Sequence, residues 1–303
     1  MGILSTKPLA QNSDFHASIM INRDEHPESD SGTWKSMLDA CSSGDVESLQ
    51  KLFNKHGIQR GSKPIPVRFV ATGGSQADSK ECIVPIMPAT DELLEQAVAA
   101  RQINVVRLIL HTYPSLSLDQ SHGVVRAVLE NPDAEVLEAL CNHAPDFASF
   151  SIDSGLRTFL TDACTLPPDQ AVPILNVLLD NGADVDDGWG PGGGALFAAV
   201  VGHQPEEIIN KILSKGINVS SRVAVPAIQQ SCVEVIRALL SNGNATLKVD
   251  VQKCIEEAEK RGDKEVIMIV KDWAQDRAEI VSRKNAVERS RKKWWNFCRF
   301  GVN

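Results

Sequence analysis

Leu178-Leu179-Asp180-Asn181-Gly182, Ile212-Leu213-Ser214-Lys215-Gly216 and Leu239-Leu240-Ser241-Asn242-Gly243 end three predicted helices in almost the same way. Each ending requires a residue with positive φ just after the last helical turn, and glycine adopts that conformation without a Cβ clash. The three glycines lie 34 and then 27 residues apart. A helix ending repeated at such intervals indicates a stack of similar units, not a single enclosed core.

The longer helix of each predicted unit can be aligned along the chain. Its segments are 46–53, 103–110, 134–141, 172–179, 206–213, 233–240 and 264–270. The five steps from residue 103 to residue 264 average about 32 residues. In the segment 233–240 the apolar residues Val233, Ile236, Leu239 and Leu240 form one stripe at helical spacing. Because one stripe cannot bury itself, the units are predicted to stack on one another.

Several segments resemble ankyrin repeats. These are Gly44–Leu49, Val177–Val185 and Val233–Gly243, together with Gly194–His203, which is similar to the first helix of a repeat and the Gly-His break after it. The resemblance covers residues 33–275 and is strongest over 154–245. The family's Thr-Pro-Leu-His start is absent from every unit. The resemblance therefore implies a degenerate, less regular all-α fold, an ankyrin-repeat solenoid of about six to seven stacked helix pairs with short hairpin turns.

Three segments depart from the predicted array. Residues 1–32 are rich in Ser, Asp, Asn and Glu, and we predict that they are disordered. An insertion at about residues 57–89 carries two β-prone patches, for which we expect a projecting finger or an irregular loop. Residues 276–303 form a basic and aromatic tail.

Charge is distributed unevenly between the array and the tail. Residues 277–303 carry eight Lys or Arg and two Glu, a net charge of +6. Since the whole chain carries −8, residues 1–276 carry −14. A nucleic-acid-binding domain has basic residues over its folded surface, so we expect no direct nucleic-acid partner for the array. The seven scattered cysteines indicate reduced thiols, from which we expect a cytoplasmic or nuclear protein, or both.

Signatures of catalysis are weak in this sequence. Residues 188–194 formally match Gly-x-Gly-x-x-Gly, but they follow a helix ending where a dinucleotide site requires a strand. The seven histidines lack metal-ligand spacing, and signatures of an activated serine or of a phosphate loop are absent. We therefore expect no catalytic residue, no cofactor and no metal. An enzyme whose active site is dispersed along the sequence remains an alternative.

The ankyrin resemblance implies a non-enzymatic scaffold or adaptor that binds another protein through its turn tips and first helices. The contact residues it implies are Phe69, Asp119, His122, Asp153, Asp187, Trp189 and Arg222. For Trp189, packing on a neighbouring turn is the alternative. The acidic array would favour a basic partner. The chain is also similar to small ankyrin proteins of filamentous fungi, some of which are transcription coregulators that bind a regulator and not DNA.

The tail has the most unusual local composition. It contains Arg289, Arg291, Lys292, Lys293, Trp294 and Trp295, followed by two Phe. Three interpretations stay open: an end cap that folds back over the last apolar face, a nuclear-import signal, and contact with a membrane or a partner groove. Gly2 lies in a match to the myristoylation pattern, and a single acyl chain would need the basic tail as a second membrane signal.

Overall fold

The computed structural model describes residues 31–66, 88–153, 156–188, 194–241 and 249–300. Within these residues it contains fourteen α-helices and one 3-10 helix, Pro145–Ser149. The only β pairing in this part of the chain is an isolated antiparallel bridge between Ser151 and Thr158. The predicted all-α class is therefore confirmed.

The helices alternate between two layers along the chain. The first layer consists of α1 (Ser31–Ser43), α3 (Thr90–Ala99), α5 (His122–Glu130), α7 (Phe159–Ala163), α9 (Gly194–Val201), α11 (Ser221–Gln229) and α13 (Val251–Arg261). The second layer consists of α2 (Val46–Lys55), α4 (Ile103–Thr112), α6 (Ala134–His143), α8 (Pro168–Asp180), α10 (Glu206–Ser214), α12 (Val233–Ser241) and α14 (Lys264–Phe300). Each of the seven aligned segments lies inside a second-layer helix.

The helix pairs stack in the order of the sequence. In the first layer α1 contacts α3, α3 contacts α5, and so on to α11 and α13. The second layer follows the same order from α2 and α4 to α12 and α14. One continuous set of buried apolar side chains extends from Met37 to Val270. The described residues therefore form seven helix pairs, each of which is buried by the pairs beside it.

Positive φ angles recur at equivalent places in the stack. Gly182 and Gly216 have φ of 82° and 90°, as their helix endings require. Gly57 (69°) is a fourth such ending, which our alignment had not included. Ile58 N donates to Phe53 O at 2.8 Å, as Ala183 N donates to Leu178 O at 3.0 Å. Gly243 lies outside the described residues.

The turn inside a helix pair uses a positive φ in five pairs of the described stack. The residues at this position are Gly44, Arg101, His203, Ser231 and Gly262, with φ between 53° and 78°. Three of them are not glycine, so the position is defined by the backbone and not by one residue type. The shared backbone conformation supports a common repeat geometry, which the residue types at this position do not reveal.

Exposed ion pairs also connect neighbouring helix pairs. Arg107 Nη2 lies 2.9 Å from Glu135 Oε1, and Arg237 Nη2 lies 2.9 Å from Glu265 Oε1. Both members of each pair are more than half exposed, so each contributes about 0–1 kcal/mol. Burial of the shared apolar faces, at about 25 cal/mol per Å², is therefore the dominant stabilising term.

The flanking segments are described only in part. The ends of the insertion are tied together, because Ile65 N donates to Thr90 Oγ1 at 2.9 Å and Thr90 N donates to Ile65 O at 3.1 Å. Residues 67–87 and 1–30 lie outside the described residues, so the predicted finger and the predicted disorder stay predictions. The tail continues α14 without a break through residue 276. It does not fold back over the stack, so the end-cap interpretation of the tail is wrong.

Candidate interaction surface

The described contact residues lie on successive loops that lead into first-layer helices. Asp119 and His122 lie just before and at the start of α5, Asp153 precedes α7, Asp187 precedes α9, and Arg222 lies in the first turn of α11. We call these loops and first turns, residues 113–122, 144–153, 156–158, 182–188 and 216–222, the loop edge. The candidates thus share one edge of the stack, although they do not form a single cluster.

Most of these side chains are accessible. Asp119, His122, Asp153 and Arg222 are exposed. Asp187 is half-buried, and its Oδ1 accepts a hydrogen bond from Gly188 N at 2.8 Å. Phe69 and Trp189 lie outside the described residues, and so does Gly2. Four of the seven sequence-derived contact residues are therefore exposed in this structure.

Two contacts join successive loops of this edge. The rings of His122 and Phe150 meet edge-on with centroids 5.0 Å apart, and Asp184 N donates to Ser149 Oγ at 3.1 Å. Two hydrogen bonds tie the edge to residues beside it: Ser121 Oγ donates to Asp91 Oδ1 in α3 at 3.1 Å, and Asp250 N, just before α13, donates to Ser221 Oγ at 2.6 Å. The loops before α5, α7 and α9 are therefore fixed relative to one another. A surface ordered in advance loses less entropy when a partner binds.

The loop before α7 is a small hairpin. Ile152 N donates to Arg157 O at 2.8 Å, and Phe159 N donates to Phe150 O at 2.9 Å. Leu156 lies near the tip of this hairpin and is 60% exposed. Exposed large apolar side chains surrounded by polar residues are typical anchors of protein interfaces. Our sequence analysis missed Leu156, although the turn residues Asp153-Ser154-Gly155 could have indicated a hairpin.

An ion pair between the exposed Arg157 and the buried Asp162 braces the base of the hairpin. Arg157 Nη2 and Nε bind Asp162 Oδ2 and Oδ1 at 2.5 and 3.1 Å, and Asp162 is only 9% exposed. The hydrogen bond to Asp162 raises the pKa of Arg157 above its usual value, so this guanidinium stays charged. Thr161 N donates to Thr158 Oγ1, and Thr158 N donates to Thr161 Oγ1. These bonds satisfy backbone groups at the start of α7 and fix the direction of the hairpin.

The next loop packs against the same base. A Cβ on Gly188 would lie 2.9 Å from Thr161 Cγ2 and 3.4 Å from Thr158 Cγ2. The backbone at Gly188 therefore touches the hairpin immediately before Trp189. The next described residue is Gly194, so the predicted contact at Trp189 stays a prediction.

The carboxyl of Asp91, in the first turn of α3, has a raised pKa. Burial raises the pKa of its carboxyl, the hydrogen bond from Ser121 lowers it, and the charge of Glu95 raises it again. The net shift is upward. Asp91, which is bonded to Ser121 of the loop edge, is thus a half-buried carboxylate whose protonation stabilises the fold.

A shallow groove of about 480 Å³ lies between α4 and α6 in the second layer. It is lined mainly by polar side chains, including Arg107, Glu135, Glu138, His111 and His143. Arg107 pairs with Glu135, and His143 Nε2 lies 2.9 Å from Leu116 O. Arg107, Glu135 and His143 thus have partners within the fold, which is a structural arrangement. Within the described residues, no three His, Cys, Asp or Glu side chains are grouped as metal ligands would be.

The tail projects from the end of the stack. Arg289, Arg291 and Lys292 are exposed on α14, and the backbone of Lys293, Trp294 and Trp295 continues the same helix. None of the helices described here combines the length and the hydropathy needed to cross a membrane.

Comparison with known proteins does not assign the chain to a family. No protein-family model matches the chain. No curated protein has a significantly similar sequence. The structure and the site therefore define a class, an all-helical protein built from stacked helix pairs.

Proposed function

We propose that the protein is a non-enzymatic scaffold or adaptor of the ankyrin-repeat type and that it binds another protein through its loop edge. One observation carries the proposal: the loops before α5, α7 and α9 present exposed side chains and are fixed to one another by the two contacts described above. The repeated turn with positive φ supports the repeat assignment, because it occupies the same place in five pairs of different sequence.

The hairpin is the proposed centre of this surface. Leu156 would insert into an apolar pocket of the partner, while Asp119 and Asp153 contact basic groups around it. The net charge of −14 on residues 1–276 would steer a basic partner towards the array. Because the hairpin is braced by Arg157 and Asp162, Leu156 is presented without a large ordering cost.

Site-specific photo-crosslinking in the source cells tests this function. A photoreactive residue replaces Asp119, Asp153 or Leu156 on the loop edge, and Lys55, Glu207 or Glu234 on second-layer helices serve as exposed controls. We expect the same protein to be captured from the loop positions and not from the helix positions. Equal capture from both sets would refute the surface. A transcription regulator as the captured protein would specify the coregulator version of the function.

A further inference from the structure

The part of α14 beyond the stack has no partner within the described structure. Its last described contact with the body is the hydrogen bond from Arg277 Nη1 to Val249 O, at 3.1 Å. The helix continues to Phe300, which places a further 23 residues, about 34 Å of helix, beyond that contact. Every side chain that the structure describes from residue 278 onward is exposed. We call residues 278–300 the projecting helix.

The projecting helix is strongly basic. Residues 283–299 contain seven Lys or Arg and one acid, Glu288. Arg283 and Lys292 make only exposed pairs with Glu279 and Glu288, four residues away on the same helix. Such pairs are weak, so the positive charge is available to an anionic surface. A second copy of this helix would be repelled, since both carry the same sign of charge.

The order of residue types distinguishes between anionic surfaces. The basic residues are concentrated between 283 and 293, and four of the chain's fifteen aromatic residues follow at positions 294–300. A single-stranded nucleic acid is bound by aromatic residues interleaved with basic ones, so that bases stack while phosphates are neutralised. Basic residues adjacent to a block of Trp and Phe are instead typical of the membrane interface, where cations contact headgroups and aromatic rings lie at their level.

We propose that the projecting helix binds the surface of anionic lipid membranes and so places the repeat array beside a membrane. The acidic array would be repelled by such a surface if it lay against it. The projecting helix separates the two by more than the Debye length of about 8 Å at physiological salt. The loop edge stays free for its own partner, so this inference does not depend on the proposed function.

Vesicle co-sedimentation with the full chain tests the proposal. The protein is produced in bacteria without an acyltransferase, so that the Gly2 motif contributes nothing. Vesicles contain phosphatidylcholine alone or with about one-third phosphatidylserine. We expect binding to the anionic vesicles, no binding to the neutral ones, and loss of binding in high salt.

Matched variants assign the binding to the projecting helix. Changing Arg283, Arg289, Arg291 and Lys292 to Gln removes four exposed charges and keeps good helix formers. Affinity for anionic vesicles should fall roughly 100-fold or more, since each basic residue near such a surface contributes about fivefold. The control changes Lys35, Lys55, Arg60 and Lys63 to Gln, which removes the same charge from exposed positions at the other end of the stack. It should bind as the unmodified chain does.

Several outcomes would overturn the proposal. These are equal binding to neutral and anionic vesicles, no binding to either, or unchanged binding by the tail variant. Tighter binding to single-stranded RNA or DNA than to vesicles of equal phosphate concentration would assign the projecting helix to nucleic acid. In cells, a fluorescent fusion of the chain that is confined to the nucleus, and that leaves it when these four basic residues are changed to Gln, would assign them to nuclear import. Capture by the loop edge would be unaffected in each case, so failure here is distinguishable from failure of the scaffold function.

Discussion

Replacing Gly202 with Ala tests how closely neighbouring helix pairs approach each other. Gly202 lies in the turn between α9 and α10, and its φ is outside the left-handed range. A Cβ added there would lie 1.9 Å from Cys164 O, a backbone atom at the end of α7. Contacts under 3.0 Å are essentially never made by real Cβ atoms, so the two pairs would have to separate by more than about 1 Å.

The separation would also break a buried hydrogen bond. Gln204 Nε2 donates to Cys164 O at 2.8 Å and to Leu166 O at 2.9 Å, and Gln204 is 2% exposed. An unpaired buried carbonyl costs about 1–3 kcal/mol, and relief of overpacking costs a similar amount. Allowing for the smaller entropy of an unfolded chain with Ala, we expect a net loss of about 3 kcal/mol in the free energy of unfolding. Scaled for size, this lowers Tm by roughly 6–12 °C.

Gly182→Ala is the matched control. Gly182 has a φ of 82° and nothing within 4 Å of its Cβ position, so the change introduces only backbone strain of about 1 kcal/mol. Both variants are unfolded by heat and by urea and followed by far-UV circular dichroism. A Gly202→Ala protein that melts within 2 °C of the unmodified chain, or above Gly182→Ala, would show that the close approach between the pairs is not present.

Three further predictions concern single side chains. Asp91→Asn keeps an acceptor for Ser121 Oγ and should raise the free energy of unfolding at pH 7. Because the pKa of Asp91 is raised in the folded state, the protonated carboxyl stabilises the fold, and this stabilisation is lost as pH rises through the folded-state pKa. In urea titrations at several pH values, the advantage of Asn should therefore vanish below the usual Asp pKa of about 3.9. Burial raises the pKa of Cys41, Cys141 and Cys164 to about 12. At pH 8, iodoacetamide should therefore modify the half-buried Cys232 well before these three cysteines, with the modification rate measured for each peptide by mass spectrometry. Equal rates would contradict the burial of the three. Leu156→Ser should leave Tm within about 2 °C and reduce capture by the loop-edge partner at least tenfold, whereas the equally exposed Met268→Ser should change neither.

The helical layers could be derived from the sequence because their signals are local. An apolar stripe such as Val233 to Leu240 and a glycine ending such as Gly182 each depend on a few adjacent residues. The turn inside each pair was harder to recognise. Its positive φ is adopted by Arg101, His203 and Ser231 as well as by glycines, so the residue type does not reveal it. The composition of residues 276–303 identified a basic and aromatic tail. It did not show that the tail is a continuation of α14, because that depends on helix propagation from the residues before it.

The loop edge was only partly derivable, because its contacts join residues about 30 positions apart. Asp184 N binds Ser149 Oγ and Asp250 N binds Ser221 Oγ, and neither pair forms a recognisable motif. The resemblance to ankyrin repeats predicted contact residues on these turns. Asp119 and Asp153 among them are exposed, and their role in binding stays a prediction. It could not indicate Leu156, since that position depends on the pairing between Ile152 and Arg157.

The hairpin and the close contact at Gly202 lie at opposite ends of one short helix. α7 has only five residues, all of them buried. The hairpin precedes the amino end of α7 and presents Leu156. At the carboxyl end the chain leaves carbonyls at Cys164 and Leu166, and Gln204 of the following pair binds both. The close approach of Gly202 allows that bond, and α7 in turn carries the base of the hairpin. The helix that carries the proposed binding residue is therefore packed against the neighbouring unit, as expected in a stack whose units have no interior of their own.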